Sequence, residues 1–174
     1  ACPGAVEDVA FSPTEPTVLM ACGAAAAALR VFDARHGDRP MLALDGAHGA
    51  DDVNAMSWNG AVAYLVATGG DDGVARVWDL RAFGKDAKPV GLFDYHRGGH
   101  VCSVAWDPHD ESALAVCAAG AADAVSLWDL SVEDDTPPGI PSGASEFGVP
   151  PQLMFVPQGL RDPKEVKYRP SSRA

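Results

Sequence analysis

The stretch Gly69-Gly-Asp-Asp-Gly-Val-Ala-Arg-Val-Trp-Asp-Leu-Arg81 decides how the rest of the chain is read. Asp71-Asp72-Gly73 has the chemistry of a tight turn, because Asp and Gly tolerate backbone angles that most residues avoid. Val74, Val77 and Trp78 are β-branched or aromatic residues of the kind that fill strands. The stretch therefore reads as a turn followed by a strand that closes on Trp78-Asp79. Two weaker copies of that closing pair, Phe32-Asp33 and Trp128-Asp129, make periodicity the first question.

The copies belong to an internal repeat. Val6-Glu-Asp-Val-Ala-Phe11 precedes Leu29-Arg-Val-Phe32-Asp33, and Val53-Asn-Ala-Met-Ser-Trp58 precedes Val74-Ala-Arg-Val-Trp78-Asp79. Val101-Cys-Ser-Val-Ala-Trp106 precedes Val125-Ser-Leu-Trp128-Asp129 in the same way. The first aromatic recurs after 47 and 48 residues, the second after 46 and 50. A fourth opening begins at Lys164-Glu-Val-Lys-Tyr168. Short runs at Pro40 to Leu44, Val90 to Tyr95 and Gln152 to Val156 supply one further strand per repeat.

A period a little above 40 with Trp-Asp closing a strand resembles the WD-repeat β-propeller family, in which each repeat supplies the strands of a four-stranded blade. The resemblance implies an all-β fold: a WD-repeat β-propeller fragment of three four-stranded blades, 5–44, 53–95 and 101–156, plus one extra inner strand at 165–169. Closed propellers have typically about four to eight blades. Three blades leave two apolar faces bare, which the remainder of a propeller or a partner must cover. With no initiator Met either, the expectation is a piece of a longer protein. Residues 134–151 read as a flexible acidic linker loop rich in Pro and Gly. Ala24 to Ala28 favour helix by propensity alone, but the repeat aligns them with Gly70 to Val74 and predicts a turn.

Composition narrows the function classes. The chain has 174 residues and a net charge of -11, which argues against direct nucleic-acid binding and favours basic protein partners. The longest uncharged apolar run, Val18 to Leu29, is too short to span a bilayer, so no membrane role is expected. Cys2, Cys22, Cys102 and Cys117 lack C-x-x-C spacing and are expected to be reduced. Cys102 and Cys117 fall where neighbouring strands can bring them face to face. No cofactor or metal is expected. His36, His100 and His109 have no ligand spacing, Asp51-Asp52 and Asp71-Asp72 lack the rest of a calcium loop, and no phosphate-cradling glycine loop occurs.

One set of residues invites a chemical reading. His48 stands ten before Trp58, while Thr68 and Asp72 stand ten and six before Trp78. WD-repeat proteins carry a buried His, Ser/Thr, Asp and Trp network at such offsets, so the resemblance assigns His48, Thr68, Asp72 and Trp78 to a structural relay. The carboxylate accepts from the imidazole, the imidazole from the hydroxyl, and the hydroxyl from the indole N–H. The set looks like a hydrolase triad, but its place inside a blade argues for structure, and no enzyme is expected. Elsewhere the pattern breaks. His96 is kept, but Ala118 and Ala122 hold the matching Thr and Asp positions, with Asp123 one place away. The first repeat has Cys22 and Ala26 there. By family geometry Asp52, Asn54, Asp71 and His100 should lie on the rim where loops gather, a candidate surface for a Lys/Arg-rich partner.

Four motifs narrow the resemblance: Ala47-His48-Gly-Ala-Asp-Asp-Val-Asn-Ala-Met-Ser-Trp58, Gly69-Gly-Asp-Asp-Gly73, Val77-Trp-Asp-Leu-Arg-Ala-Phe83, and Pro151-Gln-Leu-Met-Phe-Val-Pro-Gln-Gly159 with Lys164-Glu-Val. Together they resemble the glutamate-rich WD-repeat protein (ribosome-assembly chaperone) family, a relative of the histone-binding WD-repeat proteins. Pro157 and Tyr168-Arg169 depart from its pattern. The resemblance implies a nuclear or nucleolar chaperone that escorts a basic ribosomal protein during large-subunit biogenesis. Two alternatives stay open: a histone-binding chromatin-assembly subunit, and a substrate receptor of a cullin-type ubiquitin ligase. The latter rests on Trp78-Asp-Leu-Arg81 and Phe32-Asp-Ala-Arg35, which match a Trp-Asp-x-Arg box.

Overall fold

The computed structural model describes residues 4–24, 28–84, 86–121, 124–132 and 149–169. Cys2, Ala26, Ala122, Asp123 and most of the 134–151 segment lie outside them, as do Ala25 and Ala27 of the alanine run. Twelve strands form three four-stranded antiparallel sheets, each in simple sequence order. The first holds β1 (Val6–Phe11), β2 (Val18–Gly23), β3 (Ala28–Asp33) and β4 (Leu42–Leu44). The second holds β5 (Val53–Trp58), β6 (Leu65–Gly70), β7 (Ala75–Asp79) and β8 (Gly91–Phe93). The third holds β9 (His100–Trp106), β10 (Ala113–Ala119), β11 (Val125–Asp129) and β12 (Leu153–Phe155). This is the meander of propeller blades, with β1, β5 and β9 side by side on the inside.

Strand alternation sends every second residue to one face, and the two faces of the middle sheet meet different neighbours. On one side Val53, Met56, Val66 and Trp78 pack against Val18, Met20, Leu29 and Val31 of the first sheet. On the other side Ala55, Ala67, Ala75 and Val77 pack against Val101, Val104, Leu114 and Val116 of the third. Alanines on that second face let the sheets approach closely, which compensates for the low aromatic content. The outermost faces are barer: Phe11 is 63% exposed and Val9 50%, while Met154 and Phe155 of β12 are exposed too.

Side chains of the inner strands clasp the next sheet. Asp8 accepts from the Met56 backbone N–H at 2.9 Å. Ser57 Oγ accepts from Trp106 N at 3.3 Å, and the Ser57 carbonyl accepts from Trp106 Nε1 at 3.1 Å. Asn59, fully buried, caps its own loop by accepting from Ala61 N and Val62 N and donates to the Glu111 carbonyl at 2.8 Å.

The structure corrects the expectation of an inner strand at 165–169, where the backbone makes no ladder. A strand needs a neighbouring backbone to bond, and among the described residues no second strand pairs with this segment. It nonetheless sits where a fourth inner strand belongs. Ser103 Oγ accepts from Val166 N at 3.2 Å. Ser103 is three residues before Trp106 and Val166 two before Tyr168, the same offsets as Asp8 before Phe11 and Met56 before Trp58. The outer strands are also shorter than expected, at three residues each. Each pairs on one side only, and Pro40 and Pro89 remove donors at their entrances.

Candidate functional site

The middle sheet assembles His48, Thr68, Asp72 and Trp78 from four places. Thr68 lies in β6, Trp78 in β7, Asp72 in the turn between them, and His48 in the loop before β5. Thr68 faces Arg76 across the β6–β7 ladder, while Trp78 lies one same-face step further along β7. Trp78 Nε1 donates to Thr68 Oγ1 at 2.9 Å. Thr68 Oγ1 lies 2.8 Å from His48 Nε2, and His48 Nδ1 lies 3.0 Å from Asp72 Oδ1. Asp72 also accepts from Val74 N at 3.1 Å, which holds the turn closed. Gly73 completes that turn with φ 71°, a region where a side chain is strained. Gly70 is required for a different reason: a Cβ there would come within 2.6 Å of His48 Nδ1.

Arg76 adds a partner that the offsets did not show. Its Nη1 donates to Asp72 Oδ2 at 2.6 Å and lies 2.5 Å from His48 Nδ1. With Nδ1–H directed at Asp72, Nε2 accepts the Thr68 hydroxyl proton and the whole chain of donors runs one way. In this tautomer Arg76 bonds Asp72 and not His48, since Nη1 and Nδ1–H are both donors; the opposite tautomer would set an imidazole lone pair against a carboxylate. Burial lowers the pKa of His48, outweighing the opposing effect of Asp72, so the imidazole is neutral. Burial alone would raise Asp72, but hydrogen bonds from His48 and Arg76 outweigh it and hold the carboxyl below its usual range. His48 is 1% exposed and Thr68 0%. The enclosed hydroxyl is taken up by its two partners, and a complete buried network of this kind stiffens a blade.

The third sheet builds a related network with a residue the sequence reading missed. His96 Nε2 lies 2.7 Å from Ser126 Oγ, and Trp128 Nε1 donates to the same oxygen at 2.7 Å. The hydroxyl comes from β11, not from Ala118 on β10. Ser126 stands two residues before Trp128, as Arg76 stands two before Trp78. A serine on the same strand face as the tryptophan was the available signal. Asp123 lies outside the described residues.

Asn54 draws the candidate partner-binding residues together. Its Nδ2 donates to Asp71 Oδ1 at 2.7 Å and to the Val101 carbonyl of the third sheet at 3.2 Å. Asp71 N donates to the Asp52 carbonyl at 3.0 Å. His100 immediately precedes Val101 and is exposed. Asp71 is exposed, and Asp52 and Asn54 are half-buried. The Trp-Asp-x-Arg arginines lie elsewhere, after each third strand. Arg81 donates through Nη2 to Asp79 at 2.7 Å and covers the Tyr64 ring at 3.6 Å. Arg35 is tied to Asp33 at 2.7 Å in the same short 3-10 turn. In the third sheet Ser131 takes that role, binding Asp129. Among the described residues no group of three or more His, Cys, Asp or Glu is placed to hold a metal ion. No helix there is long and apolar enough to cross a membrane.

Three ordered sheets, Trp-Asp strand ends and buried His–hydroxyl–Trp networks define a piece of a WD-repeat propeller. The family profile "WD domain, G-beta repeat" matches residues 40–79 and 87–129, and the chain is a WD-repeat protein. It is 39% identical over 168 residues to the ribosome assembly protein rrb1 of Schizosaccharomyces pombe, covering 94% of this chain and 34% of that protein. It is 36% identical over 96 residues to the DDB1- and CUL4-associated factor 11 homolog of Caenorhabditis elegans, covering 55% of this chain and 16% of that one. Among solved structures, a chain from the crystal structure of the mitotic checkpoint complex shares the fold with TM-score 0.57 at 22% identity, over 71% of this chain and 36% of that chain. The chain thus spans about a third of the length of the ribosome assembly protein it matches.

Proposed function

We propose that this chain belongs to a protein-binding scaffold for ribosome assembly, acting as a chaperone for a basic ribosomal protein in the nucleus or nucleolus. The observation that carries the reading is the similarity to rrb1 across 94% of the chain. The net charge of -11 supports a basic client, since opposite charge speeds encounter and selects partners. The rim of the middle blade, with Asp52, Asn54 and Asp71 gathered beside His100, is the contact surface we assign to that client. The scaffold carries no reaction of its own: the residues that look catalytic are enclosed and spent on each other. Affinity capture of the tagged chain from its own cells, with mass spectrometry of what is retained, tests the reading. A ribosomal protein as the dominant partner supports it, and core histones alone would overturn it.

A second reading, a receptor in a cullin-type ligase, is favoured by the likeness to the DDB1- and CUL4-associated factor homolog. It is weakened by the geometry of Arg35 and Arg81, whose guanidinium groups are already bound to Asp33 and Asp79. The ligase adaptor as the dominant captured partner would favour this second reading over the first.

A further inference from the structure

Cys102 on β9 and Cys117 on β10 hold their Sγ atoms 3.5 Å apart, and both thiols are free. They are not directly opposed across the ladder. Cys117 faces Ser103, and the register shifts between Cys117 and Ala118, which turns Cys102 diagonally toward its neighbour. The Cys102 sulfur also lies 3.4 Å from the Cys117 carbonyl and 3.4 Å from the Pro163 carbonyl. It therefore sits at the junction of β9, β10 and the segment that follows β12. A disulfide has S–S near 2.05 Å, so the sulfurs need to close by about 1.5 Å, within the reach of side-chain rotation.

We propose that Cys102 and Cys117 form a redox modification site, a dithiol that a small-molecule disulfide such as oxidised glutathione converts to an intrachain bridge. Cys102, the more exposed of the two, is where the reagent arrives. Its thiolate attacks one glutathione sulfur, and the other glutathione leaves and takes up a proton. Cys117 then loses its proton and attacks the Cys102 sulfur, and the second glutathione leaves. Two cysteine thiols are oxidised and one glutathione disulfide is reduced to two glutathiones. Burial pushes the Cys117 thiol up to about 12, so it is a poor first nucleophile, and its attack depends on the Cys102 sulfur being held 3.5 Å away. The bridge removes the Cys102 S–H, which has the Pro163 carbonyl among its acceptors within reach, and loosens the 163–168 segment from β9.

The test treats the intact chain with oxidised glutathione, blocks remaining thiols with iodoacetamide and maps the peptides by mass spectrometry. A linked Cys102–Cys117 pair is expected, with Cys22, buried between the first two sheets, left reduced. In Cys117→Ser, Cys102 should stop as the glutathione adduct. Unmodified thiols in the wild-type chain, or a lasting Cys102 adduct there, overturn the proposal without needing any variant to fold. Oxidation should also speed trypsin cleavage at Lys164 and Lys167 by about threefold, the effect of losing one weak hydrogen bond. A linked pair with unchanged cleavage overturns the coupling to the segment.

Discussion

Thr68 on β6 and Ser126 on β11 fill the same chemical position from neighbouring strands of their blades. Each is fully buried, each accepts a tryptophan indole N–H, and each meets a histidine Nε2 at 2.8 Å and 2.7 Å respectively. What the fold preserves is the oxygen between indole and imidazole, and not the sequence position that supplies it.

Ser126→Ala should therefore destabilise the chain by about 1–3 kcal/mol, because it leaves a buried indole N–H without an acceptor. The melting temperature should fall by several degrees. An unchanged value would show that the third blade does not depend on this oxygen.

At Thr68 the order of two variants is the sharper test. Thr68→Val keeps the shape and removes the hydroxyl, at about 1–3 kcal/mol. Thr68→Ser keeps the hydroxyl and loses a methyl, at about 0.8 kcal/mol. Denaturant midpoints should rank wild type above Ser above Val, and a reversal would mean packing dominates the site.

The middle network also sets a response to acid. His48 has a folded pKa depressed below 6.5 by burial. Below pH 6.5 the unfolded chain takes up a proton that the folded chain refuses. Stability should thus hold above that pH and fall below it, by at most about 1.4 kcal/mol per pH unit, until the folded pKa is reached. Asp72, also lowered, adds a further loss only below its ordinary value of 3.8. Melting curves between pH 7.5 and about 5 check this. His48→Gln should start less stable and flatten the slope, and an equal slope in both would assign it to other groups.

Asn54→Ala should separate the rim from the core. It removes the bonds to Asp71 and to the Val101 carbonyl at a cost of about 1 kcal/mol. Isothermal titration against the captured client should show weaker binding. Unchanged affinity would remove Asn54 from the binding surface.

The blades were legible because their signals are local and repeated. Trp78-Asp79, the turn at Asp72-Gly73 and the spacing of Phe11, Trp58 and Trp106 carry strand, turn and period together. The His48–Thr68–Asp72–Trp78 contacts follow the offsets of the WD-repeat pattern, which bring together two strands, their turn and the loop before β5. Arg76 escaped notice because its long side chain bends back to the turn, which spacing does not show. Ser126 was not legible because the offset that gives Thr68 falls on the second strand at Ala118, while the serine stands on the third. The missing strand at 165–169 has another cause: its sequence has strand character, but strand formation depends on a partner backbone that local sequence cannot supply.

The rim is where the central claim is exposed to failure, and charge reversal tests it most directly. The tagged chain and its Asp52→Lys/Asp71→Lys variant should be captured from the same cells and their ribosomal-protein yield compared, after both are shown to melt at the same temperature. The account predicts a basic ribosomal protein as the most abundant partner of the wild-type chain, falling about tenfold or more in the variant, equivalent to about 1.4 kcal/mol of binding. Equal recovery with both chains would contradict it.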